Sequence, residues 1–309
     1  MKQKSALDLF VNRTDEKDRF CELLNSGEKS IIIVWGKDGL GKTFLMDWMV
    51  HECAQRALAK AELVWSNSRK YDPYGVMRRI RDELGVLKYF SHFTELINYY
   101  TDPGSTNLSK PLKVVTQGNM SIAEKAEFIN SQVRDIANVI IKDSMIVVPR
   151  QDIGVPMEER LIRLTDLFIP SLAAATEKKP CWIFLDVPSN KKHFFPEVKS
   201  WLWDELFSSV VKGKLPNVGI VMCVAPKPSR DPRFLTSVEE ASLQAFDRRH
   251  VKEYMELCGM NETLGVGEER RLGMLDAIMW QTKGVPKEVA LMVDGMVKDL
   301  KEERRKNRG

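Results

Sequence analysis

The chain is predicted to be an α/β protein: a parallel sheet covered on both faces by helices, followed by a small all-helical domain. Two observations carry that expectation. Short runs of β-branched and other apolar residues, too short for globular helices, recur between amphipathic segments, as buried parallel strands do. Beyond residue 233 such runs stop and amphipathic helical patterns alone continue. With 309 residues, two units are expected, because domains commonly hold about 100 to 200 residues.

The elements follow in order. Residues 14 to 26 place Phe20, Leu23 and Leu24 at helical spacing, with Gly27 as a stop. "SIIIVW" (30 to 35) is a buried strand, and the helix after the next loop turns Leu45, Trp48 and Met49 toward the core. "AELVWSNS" (61 to 68) is a second strand, followed by an amphipathic helix over 74 to 84. From about 86 to 155 the alternation breaks, and this stretch is taken as an insertion. It holds an aromatic-rich helix, the loop "TDPGSTNLSKP", and a polar helix over 121 to 144. Its "KPLKVVTQGNMS" is either an extra strand with a turn or a partner-docking segment. A helix over 157 to 176 should bend or end near Pro170, since proline lacks an N–H and clashes with the preceding turn. "CWIFLDVPSN" (181 to 190) and "VGIVMCVAP" (218 to 226) are two further buried strands. Three amphipathic helices with glycines at their stops close the chain. The expected domains are therefore a core over 1 to 232 and a helical domain over 233 to 309.

Composition narrows the function classes. The 43% apolar and 29% charged residues are those of an ordinary globular chain, which excludes fibrous and disordered classes. No apolar run approaches the roughly 20 residues that span a bilayer, and the N-terminal ten residues lack the apolar core of a signal peptide. A cytoplasmic protein without membrane contact is expected. The five cysteines have no short pairing, so buried free thiols are expected, and the four histidines form no metal-binding pair. A net charge of +4 and a pI of about 8.7 support nucleic-acid contact only weakly. The basic clusters at 69 to 81 and 301 to 309 are interleaved with or adjacent to acids, as on a solvated helix face.

The chemistry sits between the first strand and the helix after it. Gly36, Gly41, Lys42 and Thr43 fit G-x-x-x-x-G-K-[ST], the Walker A phosphate loop, with strand before and helix after as the motif requires. Glycines let the backbone wrap closely around phosphate oxygens, so that N–H groups and the positive helix end face the anion. Lys42 would reach the β and γ phosphates, and the Thr43 hydroxyl would ligate Mg²⁺. The intervening Lys37, Asp38, Gly39 and Leu40, and Phe44 just beyond, complete the expected nucleotide contacts. A second Mg²⁺ ligand is needed on a nearby strand end, and Asp186, closing "WIFLD", is the candidate Walker B aspartate. Lys42 and Asp186 are thus the expected catalytic groups, with ATP or ADP and Mg²⁺ as cofactors.

With these residues the chain resembles P-loop ATPases of the AAA+/STAND group, which includes the NACHT and NB-ARC switches. "FVNRTDE" (10 to 16) is similar to the group's leading F-x-G-R-x-x-E motif, with Asn12 in place of its glycine and Phe10, Arg13 and Glu16 matching. "GKDGLGKT" resembles its G-x-x-G-x-G-K-T form, and "TKGVP" (282 to 286) its G-x-P lid motif. The resemblance implies an ASCE-type parallel-sheet core with a helical lid. It further implies that Phe10 and Arg13 border the adenine, and that Gly284 and Pro286 lie near the nucleotide. Two departures stand out. Val187 and Pro188 follow Asp186 where many members place an acid that polarises the attacking water. The strand at 218 to 225 leads into "CVAPKPSR", so the sensor position falls to Lys227 or Arg230, or these belong to a charged loop.

Hydrolysis needs an oriented water and charge neutralisation, whereas binding needs the cradle and the metal. Mg-ATP binding with slow hydrolysis is therefore expected, the missing group coming from a partner or from self-assembly as a homo-oligomer. No effector motif precedes residue 10 and no sensor repeat follows residue 300, so effector and sensor are expected from other proteins or from outside this stretch of chain. The expected function is a nucleotide-dependent switch in a multi-protein signalling or defence system. A nucleic-acid-associated AAA+ ATPase, such as an origin-recognition-like loader or a transposition regulator, is the alternative. A scaffold with a vestigial nucleotide site is the third.

Overall fold

A computed structural model describes residues 13–26, 31–65, 71–101, 112–115, 140–142, 145–148, 156–187, 196–225, 237–261, 264 and 266–306. In chain order the elements are α1 (Thr14–Ser26), β1 (Ile31–Trp35), α2 (Lys42–Gln55), β2 (Ala59–Val64), α3 (Pro73–Leu84), a 3₁₀ turn (Leu87–Phe90) and α4 (Ser91–Thr101). There follow β3 (Leu112–Val115), β4 (Ile140–Lys142), β5 (Met145–Val148), α5 (Met157–Thr176) and β6 (Cys181–Asp186). Next come α6 (Pro196–Trp201), a π-helical turn (Leu202–Phe207), α7 (Ser208–Val211), β7 (Val218–Val224) and β8 (Val238–Ser242). The last three are α8 (Arg248–Leu257), α9 (Glu268–Thr282) and α10 (Pro286–Lys306). They divide between two compact units: one takes residues 1–70, 180–194 and 218–309, the other 71–179 and 195–217.

The first unit holds a five-stranded, all-parallel sheet in the order β2-β6-β7-β1-β8. Its three inner strands are buried almost throughout, which is why each reads as a continuous apolar run rather than an alternation. One face carries Ile32, Val34, Trp182, Phe184, Val221 and Cys223 against Phe20 and Leu23 of α1 and Leu45, Met46 and Met49 of α2. Phe20 is the pivot of that layer, its ring edge-on to Trp182 at 4.9 Å and to Phe184 at 6.4 Å. The three final helices build a separate apolar cluster from Val251, Met255, Leu275, Ile278, Val289 and Val293. The architecture is thus a parallel-sheet P-loop core of the α/β class with an all-helical domain at its C-terminal end.

The second unit packs α3 to α5 with α6 around Phe90, Phe93, Phe168 and Trp201, whose rings succeed one another at 5.3 to 6.3 Å. The Trp201 indole donates to the Thr165 hydroxyl at 2.8 Å, so the polar edge of this ring is satisfied inside the cluster. A small antiparallel sheet, β3-β5-β4, completes it.

Three expectations change. β8 lies where no strand was expected: it pairs in parallel with β1 at the sheet edge, and a half-exposed edge tolerates the Glu239 and Glu240 that hide its pattern. Arg19 of α1 holds it with a two-pronged contact to Glu239, at 2.8 and 2.6 Å. α5 spans the expected 157 to 176 and does not end at Pro170, the alternative to a bend there; the buried Leu164, Phe168, Ile169 and Leu172 offset a proline penalty of about 3 kcal/mol. Residues 140–142, expected in a helix, form β4, because pairing with β5 gives Ile140 to Lys142 tertiary partners that local propensity does not register. The rest of that expected helix lies outside the described residues. In "KPLKVV", β3 takes the strand alternative.

Phe20→Ala should destabilise the first unit by about 3 to 5 kcal/mol, the usual cost of deleting a fully buried aromatic ring. Chemical denaturation followed by tryptophan fluorescence measures it. A loss under 1 kcal/mol would contradict the pivotal place of this ring.

Candidate functional site

β1 delivers the chain to Gly36 at its carboxyl end, and α2 begins at Lys42. Between them Gly39 and Gly41 adopt φ of 83° and 88°, left-handed conformations that a side chain disfavours by roughly 1–2 kcal/mol. Gly41 is the N-cap of α2, and no side chain caps that end, so the first-turn N–H groups keep their donors for an anion. Lys42 turns back under the loop. Its Nζ donates to the carbonyls of Gly36 at 2.8 Å and Lys37 at 2.9 Å and lies 3.6 Å from Asp38 Oδ1, while the residue as a whole is 9% exposed. A buried ammonium needs such partners, and phosphate oxygens are the stronger acceptors for it. Phe44, by contrast, is 48% exposed in the first turn of α2.

The order of the sheet brings the second half of the site to the same place. β7 lies between β1 and β6, and β6 ends on Asp186. Thr43 Oγ1 donates to Asp186 Oδ2 at 3.0 Å, bringing together the two side-chain oxygens expected to serve Mg²⁺. Burial pushes the Asp186 carboxyl above its ordinary value, against the opposing effects of the Thr43 hydrogen bond and the Lys42 charge. Such a carboxylate is a fitting hard-cation ligand, because a divalent ion relieves the desolvation that burial imposes. These oxygens, the uncapped helix end and Lys42 fit a magnesium–triphosphate group. The residue after Asp186, Val187, is buried, and its N–H bonds the Cys223 carbonyl at 2.9 Å, so an aliphatic side chain fills that position.

Arg13 is 4% exposed and takes a φ of 71°, unusual outside glycine. Its Nη2 donates to the Leu40 carbonyl at 3.0 Å and to the Gln244 carbonyl at 2.6 Å, and its guanidinium lies 5.9 Å from the centre of the Phe246 ring. Burial lowers its pKa, with Glu16 opposing, but arginine stays charged in proteins. Gly284 follows Lys283 at the end of α9, both with positive φ, and a Cβ on Gly284 would lie 1.9 Å from the Phe246 carbonyl oxygen. The Phe246 N–H donates to the Gly284 carbonyl at 2.7 Å. Pro286 opens α10, and the Lys287 N–H donates to the Gly39 carbonyl of the phosphate loop at 3.1 Å.

Arg13, the loop from Gly36 to Thr43, Asp186 and the Gly284–Pro286 turn are thus joined by direct contacts. Phe10, Pro188, Lys227 and Arg230 lie outside the described residues. Sequence reasoning missed four participants. Gln244 and Phe246, just before α8, act partly through backbone groups that carry no residue signature, although Asp247 capping His250 at 2.9 Å marks a helix start beside them. Cys223, facing the loop from β7, places its thiol 3.6 Å from the Lys42 carbonyl. Asp47, one turn beyond Thr43, has a carboxyl pushed up by burial and by the charges of Glu62 and Asp186. Away from the site, two of the three arginines of α3 pair with acids, Arg79 with Glu83 and Arg81 with Asp82. Three of the five free cysteines, Cys53, Cys181 and Cys223, are buried. Among the described residues no helix is long and apolar enough to cross a membrane.

No known protein family and no curated protein matches the chain. Solved structures to which the chain is similar include two. One is a signal transduction ATPase with numerous domains (STAND) protein with a tetratricopeptide repeat sensor from Pyrococcus horikoshii, at 11% identity and a TM-score of 0.40, covering 92% of this chain and 30% of that one. The other is Drosophila ORC bound to DNA, at 14% identity and a TM-score of 0.43, covering 98% of this chain and 70% of that one. This chain therefore spans under a third of the STAND protein. Neither likeness assigns it a substrate or a partner.

Asp186 yields a pH test. Its folded-state pKa is raised above the unfolded value, so the folded chain binds the proton more tightly; this contribution favours folding at low pH and is lost as pH rises through the folded pKa. Asp186→Asn, which keeps an acceptor for Thr43, should raise the Tm of the ligand-free protein at neutral pH, and the gain should vanish below about pH 4. A lower Tm for the variant at neutral pH would contradict the assignment.

Proposed function

We propose that this chain is an ATP-binding regulatory P-loop ATPase of the AAA+ kind. It acts in the cytoplasm as a nucleotide-dependent switch in a multi-protein signalling or defence system, with slow or partner-stimulated hydrolysis. One observation carries the reading: the groups for holding Mg-ATP are assembled, whereas the position after Asp186 is a buried valine. Lys42 would exchange its two carbonyl partners for phosphate oxygens. The N–H groups at the start of α2 would take the remaining phosphate charge. Thr43 and Asp186 would hold Mg²⁺, which when bound neutralises charge on the β and γ phosphates. Val187 has no group to polarise water, so efficient cleavage requires one from elsewhere on the chain, from a partner or from a second copy.

A switch also needs two states that a ligand distinguishes, since a ligand that binds both equally shifts nothing. The Gly284–Lys287 turn rests on the phosphate loop itself, so occupancy of the loop has a direct mechanical neighbour in the helical domain. In this reading the switch acts on effector or sensor proteins in trans. The second reading, a nucleic-acid-associated AAA+ ATPase, draws on the net charge of +4. The acid partners of α3 argue against a free basic stripe there.

Lys42→Ala should abolish Mg-ATP binding in titration calorimetry and with it partner activation, while Asp186→Asn should bind ATP but lose the strengthening by Mg²⁺. Partner activation left intact in the Lys42 variant would reject the switch. Binding of duplex DNA with an affinity that drops steeply between low and physiological salt would favour the second reading.

A further inference from the structure

Four segments, one of them the phosphate loop, close into a ring. Starting at Arg13, the guanidinium holds the Leu40 carbonyl; Leu40 is joined to Gly39, whose carbonyl takes the Lys287 N–H. Three residues back from Lys287, the Gly284 carbonyl takes the Phe246 N–H. Two residues back from Phe246, the Gln244 carbonyl returns to the same Nη2 of Arg13. Each link is 2.6 to 3.1 Å long, and Arg13 alone provides two of the four.

A closed circuit constrains motion in a way that separate contacts do not. The apex of the phosphate loop cannot shift against the turn between α9 and α10 without breaking a link or dragging the Gln244–Phe246 segment along. One member of the circuit is held in a costly conformation: Arg13 is a non-glycine residue at φ 71°, whereas Gly39 and Gly284, at 83° and 72°, use the freedom that only glycine has there. A Cβ on Gly39 would come within 3.0 Å of Val285 Cγ1, and one on Gly284 would meet the Phe246 carbonyl. Strain of this kind persists only where the surroundings over-determine it. The Arg13 head is also buried among backbone carbonyls, the setting in which its fixed fork loses little freedom per bond formed.

We propose that Arg13 is a positioning residue that locks the phosphate loop to the α9–α10 turn, so that occupancy of the loop is transmitted to the helical domain through main-chain bonds at Gly39 and Gly284. The resemblance places this residue beside the adenine. Here its Nη2 bonds run to the loop and to the segment before α8, and these are the contacts that the coupling uses. The inference rests on the nucleotide-holding reading of the loop.

Amide hydrogen exchange at Lys287 and Phe246, resolved residue by residue with and without saturating Mg-ATP, tests it, with affinity measured separately by calorimetry. In the wild type, Mg-ATP should slow exchange at both amides by roughly 5- to 150-fold, the range of ordinary coupling free energies. In Arg13→Ala and Arg13→Lys, measured with the nucleotide site saturated, the slowing should fall below about twofold. A purely structural role would lower Tm and leave the nucleotide-dependent difference in place. Wild-type amides indifferent to bound Mg-ATP overturn the coupling, as does either variant that keeps the full difference. If a variant does not fold, the wild-type arm still decides. A wild type that binds no Mg-ATP overturns the nucleotide-holding reading, and this inference with it.

Discussion

An ammonium group held out of water must find carbonyl or anionic partners, and the candidate site is organised around that requirement at Lys42. Satisfying Nζ from the Gly36 and Lys37 carbonyls curls the chain after β1 into a tight loop, with Gly39 and Gly41 at positive φ. That loop must in turn be anchored at both ends. The buried β1 strand fixes one end, and α2, packed through Leu45, Met46 and Met49 onto the sheet, fixes the other. The apolar core is therefore the frame that makes a strained, polar loop affordable in one place.

Asp186 shows the same exchange of stability for a site. Strand order places it against Thr43, and burial raises its pKa, which disfavours the ionised carboxylate. The neighbouring Val187 instead completes the apolar wall. The buried charges thus gather at Lys42 and Asp186, while the position next to Asp186 is given to an apolar side chain. Three links of the ring around Gly39 then join this loop to the two segments that lead into and out of α8 and α9.

Much of this was legible in the sequence because it rests on local signals. The inner strands announce themselves as short apolar runs, since both faces are buried; the phosphate loop does so because only glycine fits its backbone and only lysine reaches its centre. Asp186 is readable as the polar end of an apolar strand. What could not be read depends on partners far away in the chain. β8 exists because β1 offers it an edge and Arg19 a counter-charge for Glu239, and neither is visible in "VEEAS". α5 passes Pro170 because buried neighbours outweigh a local penalty. Arg13 was found through a motif, but its main-chain acceptors, 27 and 231 residues away, carry no side-chain identity to recognise.

A nucleotide switch keeps ATP intact on the loop far longer than an ordinary enzyme keeps its substrate. A single-turnover experiment measures this: load the protein with Mg-ATP, chase with excess unlabelled nucleotide, and follow bound ATP and product together. Cleavage in the isolated chain is expected at about 10⁻³ s⁻¹ or slower, the scale of a switch whose catalytic group comes from a partner. Product formation at about 1 s⁻¹ or faster, the range of ordinary enzymes, would contradict it.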